Sequence, residues 1–140
     1  VIFFAATGPD GKDLFESTAR TGAYDEYIRG EVNGYSLSLH RYWPDGRNNP
    51  GSNLRRNSGF HLLSQRMPDP ALDADRNYKL NIRKRGPRIS VSVDGELVHD
   101  VSDDGVHGAH WESGKIGFRL RGHESCVMTV GAITIAGFDG

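Results

Sequence analysis

Apolar and polar residues alternate along most of this chain with a period of two. That is the repeat of an extended strand, whose successive side chains leave on opposite faces. From Tyr78 onward the pattern is sharp. Tyr78, Leu80 and Ile82 alternate with Lys79, Asn81 and Arg83, and Ile89, Val91 and Val93 alternate with Arg88, Ser90 and Ser92. Asp94-Gly95, between Arg88–Val93 and Glu96–Val101, is a two-residue hairpin signal, because such a turn needs residues that tolerate positive φ. Lys115–Arg121 sets Ile116, Phe118 and Leu120 against Lys115, Gly117, Arg119 and Arg121, and Val127–Ile135 reads as a last apolar strand. No stretch longer than about ten residues keeps a helical period. The prediction is an all-β sandwich of short antiparallel strands.

The N-terminal half carries the same signal around more polar matter. Val1–Ala6 is an apolar strand closed by a Thr-Gly-Pro-Asp-Gly turn, and Leu14–Gly30 reads as an irregular loop holding Tyr24 and Tyr27. Glu31–Tyr42 sets Tyr35, Leu37 and Leu39 against Ser36, Ser38, His40 and Tyr42; Gly59–Gln65 sets Phe60 and Leu62 against His61, Leu63 and Gln65. Trp43-Pro-Asp-Gly is a turn, and an Arg/Asn-rich loop follows it. Arg66–Asn77 and Ser102–Ser113 read as surface connections. If the two runs share a sheet, His40, Tyr42, His61 and Gln65 lie on one polar face, beside a loop with Arg47, Asn53, Arg55 and Arg56. Residues 1–140 form one domain, a length that permits a sizeable core.

The formal net charge of -1 points to neither nucleic acid nor a membrane surface. Locally the balance differs: His40 to Asn57 hold arginines 41, 47, 55 and 56 against the single acid Asp45. Such a patch favours carboxylate, sulfate or phosphate, which a planar guanidinium grips bidentately. Cys126 is the only cysteine, so no intrachain disulfide forms, and it reads as a small core residue. No apolar run approaches the roughly 20 residues of a membrane-spanning helix, and the Val-Ile-Phe-Phe start carries no basic leader. The compartment stays open.

The segments Tyr78–Lys84 (YKLNIRK), Val93–Gly95 (VDG) and Gly114–Arg119 (GKIGFR) resemble, in this order, the closing strands of concanavalin A-like lectin/glucanase jelly rolls. Upstream, Phe3–Phe15 (FFAATGPDGKDLF), Thr21–Tyr27 (TGAYDEY), Gly30–Arg41 (GEVNGYSLSLHR) and Asn53–Gln65 (NLRRNSGFHLLSQ) resemble the bacterial YesU-like family of carbohydrate-utilisation loci. The resemblance implies a bent sandwich of two antiparallel sheets whose concave face handles a glycan. Such sandwiches usually run to about 200 residues or more, so N-terminal strands are expected to be missing, or supplied by a partner chain or homodimer. The Glu-x-Asp-x-x-Glu motif of the retaining glucanases is absent, which argues against hydrolysis by that carboxylate pair.

Lyase-type β-elimination on a uronic-acid-containing chain needs cations or amides to neutralise the sugar carboxylate, a base, and an acid for the leaving oxygen. His40 or His61 as base and Tyr42 as acid fill those roles, with Asn33, Ser36, Ser38, Arg47, Asn53, Arg55, Arg56 and Gln65 as substrate-binding residues. A non-catalytic carbohydrate-binding module, a hydrolase of another mechanism, and an interaction domain for an acidic partner are the competing readings. No cofactor is expected. Asp10-Gly-Lys-Asp13 is a candidate for structural calcium, although a plain Asp-Gly turn explains it better. Asp103, Asp104, His107, His110 and Glu112 are a weaker metal candidate, because their Gly-rich loop offers no further fixed ligand.

Overall fold

The computed structural model describes residues 1–16, 19–43, 45–73, 75–121 and 126–137. Its strands form three antiparallel sheets. The first runs in the order β10 (Lys115–Phe118), β1 (Ile2–Thr7), β2 (Asn33–Ser38), β5 (Ser52–Asn57), β6 (His61–Arg66). The second is the ribbon β3 (Arg41–Tyr42) with β4 (Asn48–Asn49), and the third is β7 (Leu80–Arg85), β8 (Arg88–Val93), β9 (Glu96–Ser102). Alternation decides what goes between the large sheets. Phe4, Tyr35, Leu37 and Leu54 of the five-stranded sheet meet Ile89 and Val91 of the three-stranded one, with Ile82, Val101 and Trp111 at the margin. The result is the expected all-β sandwich.

Three elements depart from the expected pattern. The Arg/Asn loop is not a loop: its second half is β5, paired on both sides in the middle of the five-stranded sheet. With Leu54 as its one aliphatic residue, Ser-Asn-Leu-Arg-Arg-Asn carries no hydrophobic alternation to betray a strand. Tyr24–Ile28 of the presumed loop is a short helix, α1, preceded by a 3-10 turn at Leu14–Glu16. Residues 126–137 form no strand, and Val127, Ile133 and Ile135 stay exposed, as does the free thiol of Cys126. A period of two specifies which side a strand would bury; it does not supply the neighbour a strand needs.

Gly34 lies where two backbones nearly touch: a Cβ there would sit 2.6 Å from the Ala5 carbonyl oxygen, at a φ of +115°. This close approach accompanies an irregularity in β1 between Phe4 and Thr7, where the register against β2 shifts.

The interior is polar at two points. Arg56, 4% exposed, reaches Asp103 at 2.5 Å and the Ala109 carbonyl at 2.8 Å. The Tyr35 hydroxyl donates to the same carboxylate at 2.8 Å and accepts the Trp111 backbone N–H at 3.2 Å. Burial alone would raise the Asp103 pKa; the Tyr35 hydroxyl and the Arg56 guanidinium outweigh it and hold the carboxyl below its ordinary value. Burial, with Asp103 as acceptor, pushes the Tyr35 phenol up. The second point is His99, 1% exposed, with Nε2 3.0 Å from Ser52 Oγ and Nδ1 2.9 Å from Ser64 Oγ. One imidazole thereby ties β9 to β5 and β6 across the sandwich.

Two outcomes are expected. Removing one partner of a buried ion pair leaves an uncompensated charge, so Asp103→Ala should destabilise the fold by about 3–5 kcal/mol in urea unfolding. The wild type should keep the Asp103 contribution at neutral pH and lose it only as pH falls through the depressed carboxyl pKa. His99 has the opposite chemistry: burial, the leading cause, lowers its pKa, so the folded state refuses a proton that the unfolded chain accepts. Stability should therefore decline as pH drops below about 6.5. Urea midpoints measured from pH 7 to 5 should show a shallower decline for His99→Gln.

Candidate functional site

The outer face of the five-stranded sheet follows from the strand register. Residues directly opposite one another share a face, so Phe3, Ser36, Arg55 and Leu62 form one row across four strands. Ser38, Asn53 and Gln65 form the next. Helix α1 lies over the first row: Tyr27 meets the Phe3 and Phe60 rings at 5.6 Å each, and Tyr24 meets Phe60 at 5.1 Å. The Arg55 guanidinium sits 4.2 Å above the Phe60 ring and donates to the Phe60 carbonyl at 2.8 Å.

A second cation joins this face through a kink. His40 adopts φ +49°, and its N–H donates to the buried Asp69 carboxylate at 2.7 Å. The turn breaks the alternation of β2 and sends Arg41, instead of Tyr42, toward Asn53. Arg41 Nη1 donates to the Gly51 carbonyl at 3.1 Å. With the Asn53 amide oriented to satisfy its surroundings, its oxygen accepts from Arg41 at 2.9 Å and its nitrogen faces the Gln65 side chain at 3.0 Å. Burial lowers the Arg41 pKa, opposed by Asp69 and Tyr24; burial and then the charge of Arg41 lower that of Arg55. Arg41 reaches Asn53, two residues from Arg55 on the same face of β5, so the two half-buried guanidiniums share that face. Among the described residues, no carboxylate lies within ion-pair distance of either. Part-buried cations without a counter-ion are costly, and an incoming anion relieves that cost.

His40 and Tyr42 come together, but on the other side of the ribbon. Successive residues of an extended strand point apart, and Arg41 takes the side facing Asn53. His40 Nδ1 lies 3.0 Å from the Ala71 carbonyl, which can only accept, so that nitrogen carries the proton. Nε2 is then the acceptor for the Tyr42 hydroxyl at 2.8 Å. The pair is an oriented acid–base couple facing the 69–71 segment.

Other expected residues are placed elsewhere. A bulge in β6 against Leu54–Arg55 inserts one residue, so His61 falls opposite Arg56 while Gln65 falls opposite Asn53. His61 and Gln65 therefore occupy opposite faces, and the expectation that they share one does not hold. His61 stacks on His107, with centroids 3.5 Å apart. Arg56 is spent on Asp103 inside the sandwich. Asn33 is buried and donates to the Gly8 and Gly30 carbonyls. Arg47 pairs with Asp45 at the exposed hairpin tip. Ser36 and Ser38 form the buried floor of the face, and Gln65 is at its open edge. Asp13, half of the calcium candidate, binds Lys115 at 3.0 Å and caps the Phe15 N–H. Among the described residues, no three potential metal ligands cluster, including in the 103–112 loop, where His110 meets Glu112 at 2.6 Å.

Sequence reasoning missed Arg41 and Asp69. Alternation put Arg41 on the apolar side, and only the positive φ at His40 reverses that. Asp69 follows Met67-Pro68 in a Pro-rich connection that resembles any surface turn. A further concavity of about 530 Å³ lies on the outer face of the three-stranded sheet, lined by Lys79, Asn81, Arg83, Ser90, Ser92 and Asp94. Lys79 and Arg83 are exposed there and Asp94 is already paired with Arg76, so nothing at that surface calls for a counter-ion. The outer face of the five-stranded sheet is the better-built site.

A family model described as a domain of unknown function, DUF1961, matches residues 1–123. The chain belongs to the DUF1961 family. The uncharacterized protein YesU of Bacillus subtilis (strain 168) is 37% identical over 126 residues, covering 85% of this chain and 57% of YesU. A crystal structure of a Bacillus subtilis protein of unknown function with a galectin-like fold matches with a TM-score of 0.72 at 36% identity, over 82% of this chain and 55% of that one. This DUF1961 chain thus spans little more than half the length of these relatives, and it shares the galectin-like, jelly-roll sandwich of the solved one.

If the Arg41–Arg55 pair of the DUF1961 domain receives anions, sulfate should raise the melting temperature in a saturable way, by mass action on the folded state. Arg55→Gln should abolish the saturable part while leaving the general salting effect. Scanning calorimetry at constant ionic strength, with chloride as the control, reads both.

Proposed function

We propose that this DUF1961 domain binds a carboxylate-bearing saccharide, a uronic-acid-containing glycan, on the outer face of its five-stranded sheet. The observation that carries the reading is the Arg41–Arg55 pair: two part-buried guanidiniums on one face, with no carboxylate in ion-pair range among the described residues. A uronate carboxylate offers the negative charge and planar geometry that a guanidinium fork accepts. The Asn53 and Gln65 amides supply donors and acceptors for ring hydroxyls. Tyr24 and Leu62, 40% and 49% exposed, offer apolar surface to the C–H face of a sugar. The galectin-like fold supports a carbohydrate ligand by analogy of fold.

The oriented His40–Tyr42 couple favours a second reading, cleavage by β-elimination. It needs the phenol or imidazole beside the carbon next to the carboxylate. Arg41 and Tyr42 leave β3 on opposite sides, so a carboxylate seated on the guanidiniums is turned away from that couple. Binding without cleavage is therefore the reading that the geometry supports best.

Titration calorimetry with galacturonate and glucuronate oligosaccharides, against neutral oligomers of matched length, tests both. Binding confined to the acidic series, weakened at least about tenfold by Arg41→Ala or Arg55→Ala and by rising salt, is the expected result. Equal binding of the neutral series, or none of either, refutes it. Ultraviolet absorbance of unsaturated uronate, produced by wild type and lost in both His40→Ala and Tyr42→Phe, would replace binding with lyase chemistry.

A further inference from the structure

The outer face of the sheet near α1 holds buried polar groups with no partner among the described residues. Ser36, 1% exposed, sits directly opposite Arg55 in the ladder, and its Oγ makes no hydrogen bond among the described residues. Asn57, fully buried, has neither its Nδ2 nor its Oδ1 satisfied among the described residues, and across the ladder it faces Gly34, which has no side chain to bond it. Three unpaired hydrogen-bonding atoms in one buried patch are expensive, since each costs its lost hydration without return. A core shaped only for stability would carry apolar residues there.

What covers this patch is one short segment, held by aromatic contacts and single hydrogen bonds. Helix α1 has five residues, far below the length at which a helix stands alone. It rests through Tyr27 on Phe3 and Phe60. Its remaining ties are Tyr24 against the Phe60 ring at 5.1 Å, Arg119 to the Tyr27 hydroxyl at 3.4 Å and to the Gly22 carbonyl at 2.8 Å, the Asn33 amide to the Gly30 carbonyl at 3.3 Å, and the Gly59 N–H to the Ile28 carbonyl at 3.0 Å. The Glu26 carboxylate binds the Thr21 and Gly22 N–H groups at 2.6 and 3.0 Å, hydrogen bonds internal to the segment that it keeps when it leaves the sheet. Gly22 and Gly30, at φ +77° and +96°, bracket it with backbone that only glycine adopts cheaply.

We infer that the saccharide site continues inward beneath α1 to Ser36 and Asn57, and that residues 22–30 are a strap that lifts to admit the ligand. This rests on the acidic-saccharide reading above and adds the inner, hydrogen-bonding end of that site. Arg55 links the two parts, because on its face of β5 it follows Asn53, which Arg41 reaches, and it stands opposite Ser36. With the strap raised, the Ser36 hydroxyl and the Asn57 amide meet sugar hydroxyls, and the unpaired atoms gain the partners they lack. The same atoms that weaken the closed state then set specificity, because a buried polar group rejects a ligand that cannot pair with it.

Ser36→Ala and Asn57→Leu separate a binding role from a packing one. Removing orphaned polar atoms from a merely structural patch should leave melting unchanged or raise it, with no effect on affinity. Under the inference both variants melt at or above the wild-type temperature, yet bind trigalacturonate about three- to tenfold more weakly. Amide hydrogen exchange over residues 22–31 should be fast in the free protein and slow at saturating trigalacturonate. Unchanged affinity in both variants, or strap exchange indifferent to ligand, overturns the inference. If Arg55→Ala abolishes binding while Ser36→Ala and Asn57→Leu do not, the inner site alone fails. If the wild type binds no uronate oligosaccharide, the functional reading fails and this inference falls with it.

Discussion

A charged side chain at the centre of a sandwich is tolerated only when it is fully answered, and Arg56 is the residue to which that constraint applies here. It leaves the middle of β5 toward the interior, where Asp103, the Ala109 carbonyl and, through the shared carboxylate, Tyr35 complete its hydrogen bonding. Asp103 begins the 103–112 loop and Tyr35 belongs to β2, so one neutralised charge fastens that loop to the five-stranded sheet. Trp111 closes the same corner by donating its indole N–H to the Asn57 carbonyl at 3.0 Å. The desolvation penalty of such a pair offsets much of its attraction. Its effect is on uniqueness: any register of β5 other than the observed one buries an arginine without a partner.

The two faces of β5 show what that placement allows. Adjacent arginines occupy opposite environments, Arg56 sealed against its carboxylate and Arg55 half-open over an aromatic ring. The inner one serves the fold. The outer one stacks on Phe60 and donates to its carbonyl, and among the described residues it has no carboxylate partner. Four arginines in a short polar stretch thus divide between structure and site, and Arg47, which pairs with Asp45 at the hairpin tip, serves neither.

The kink at His40 is the second determinant of the face. Asp69 accepts the His40 and Ala71 N–H groups with its two oxygens, while its own N–H donates to the Pro50 carbonyl. That small network turns the ribbon β3–β4 about its base and decides which of Arg41 and Tyr42 faces Asn53. The acid–base couple and the cation pair are therefore separated by a backbone turn, not by distance along the chain.

Local chemistry alone determined much of this protein. Alternation from Tyr78 to Ser102, with Asp94-Gly95 between two strands, specifies a meander that needs no distant partner to be recognised, and β7, β8 and β9 follow it closely. The same alternation assigns Tyr35 and Leu37 to the core and Ser36 and Ser38 to the opposite face, because side-chain direction in a strand depends on parity alone. Tertiary structure decided the rest, wherever parity is interrupted or a partner is required. A single inserted residue in β6 moved His61 off the face of Gln65, and one positive φ at His40 exchanged Tyr42 for Arg41. Strand β5 is polar by composition and central by pairing, a property held by its neighbours and not by its own residues. Whether a given arginine is buried or open depends on which carboxylate the fold brings within reach, and Asp103 lies 47 residues from Arg56 along the chain.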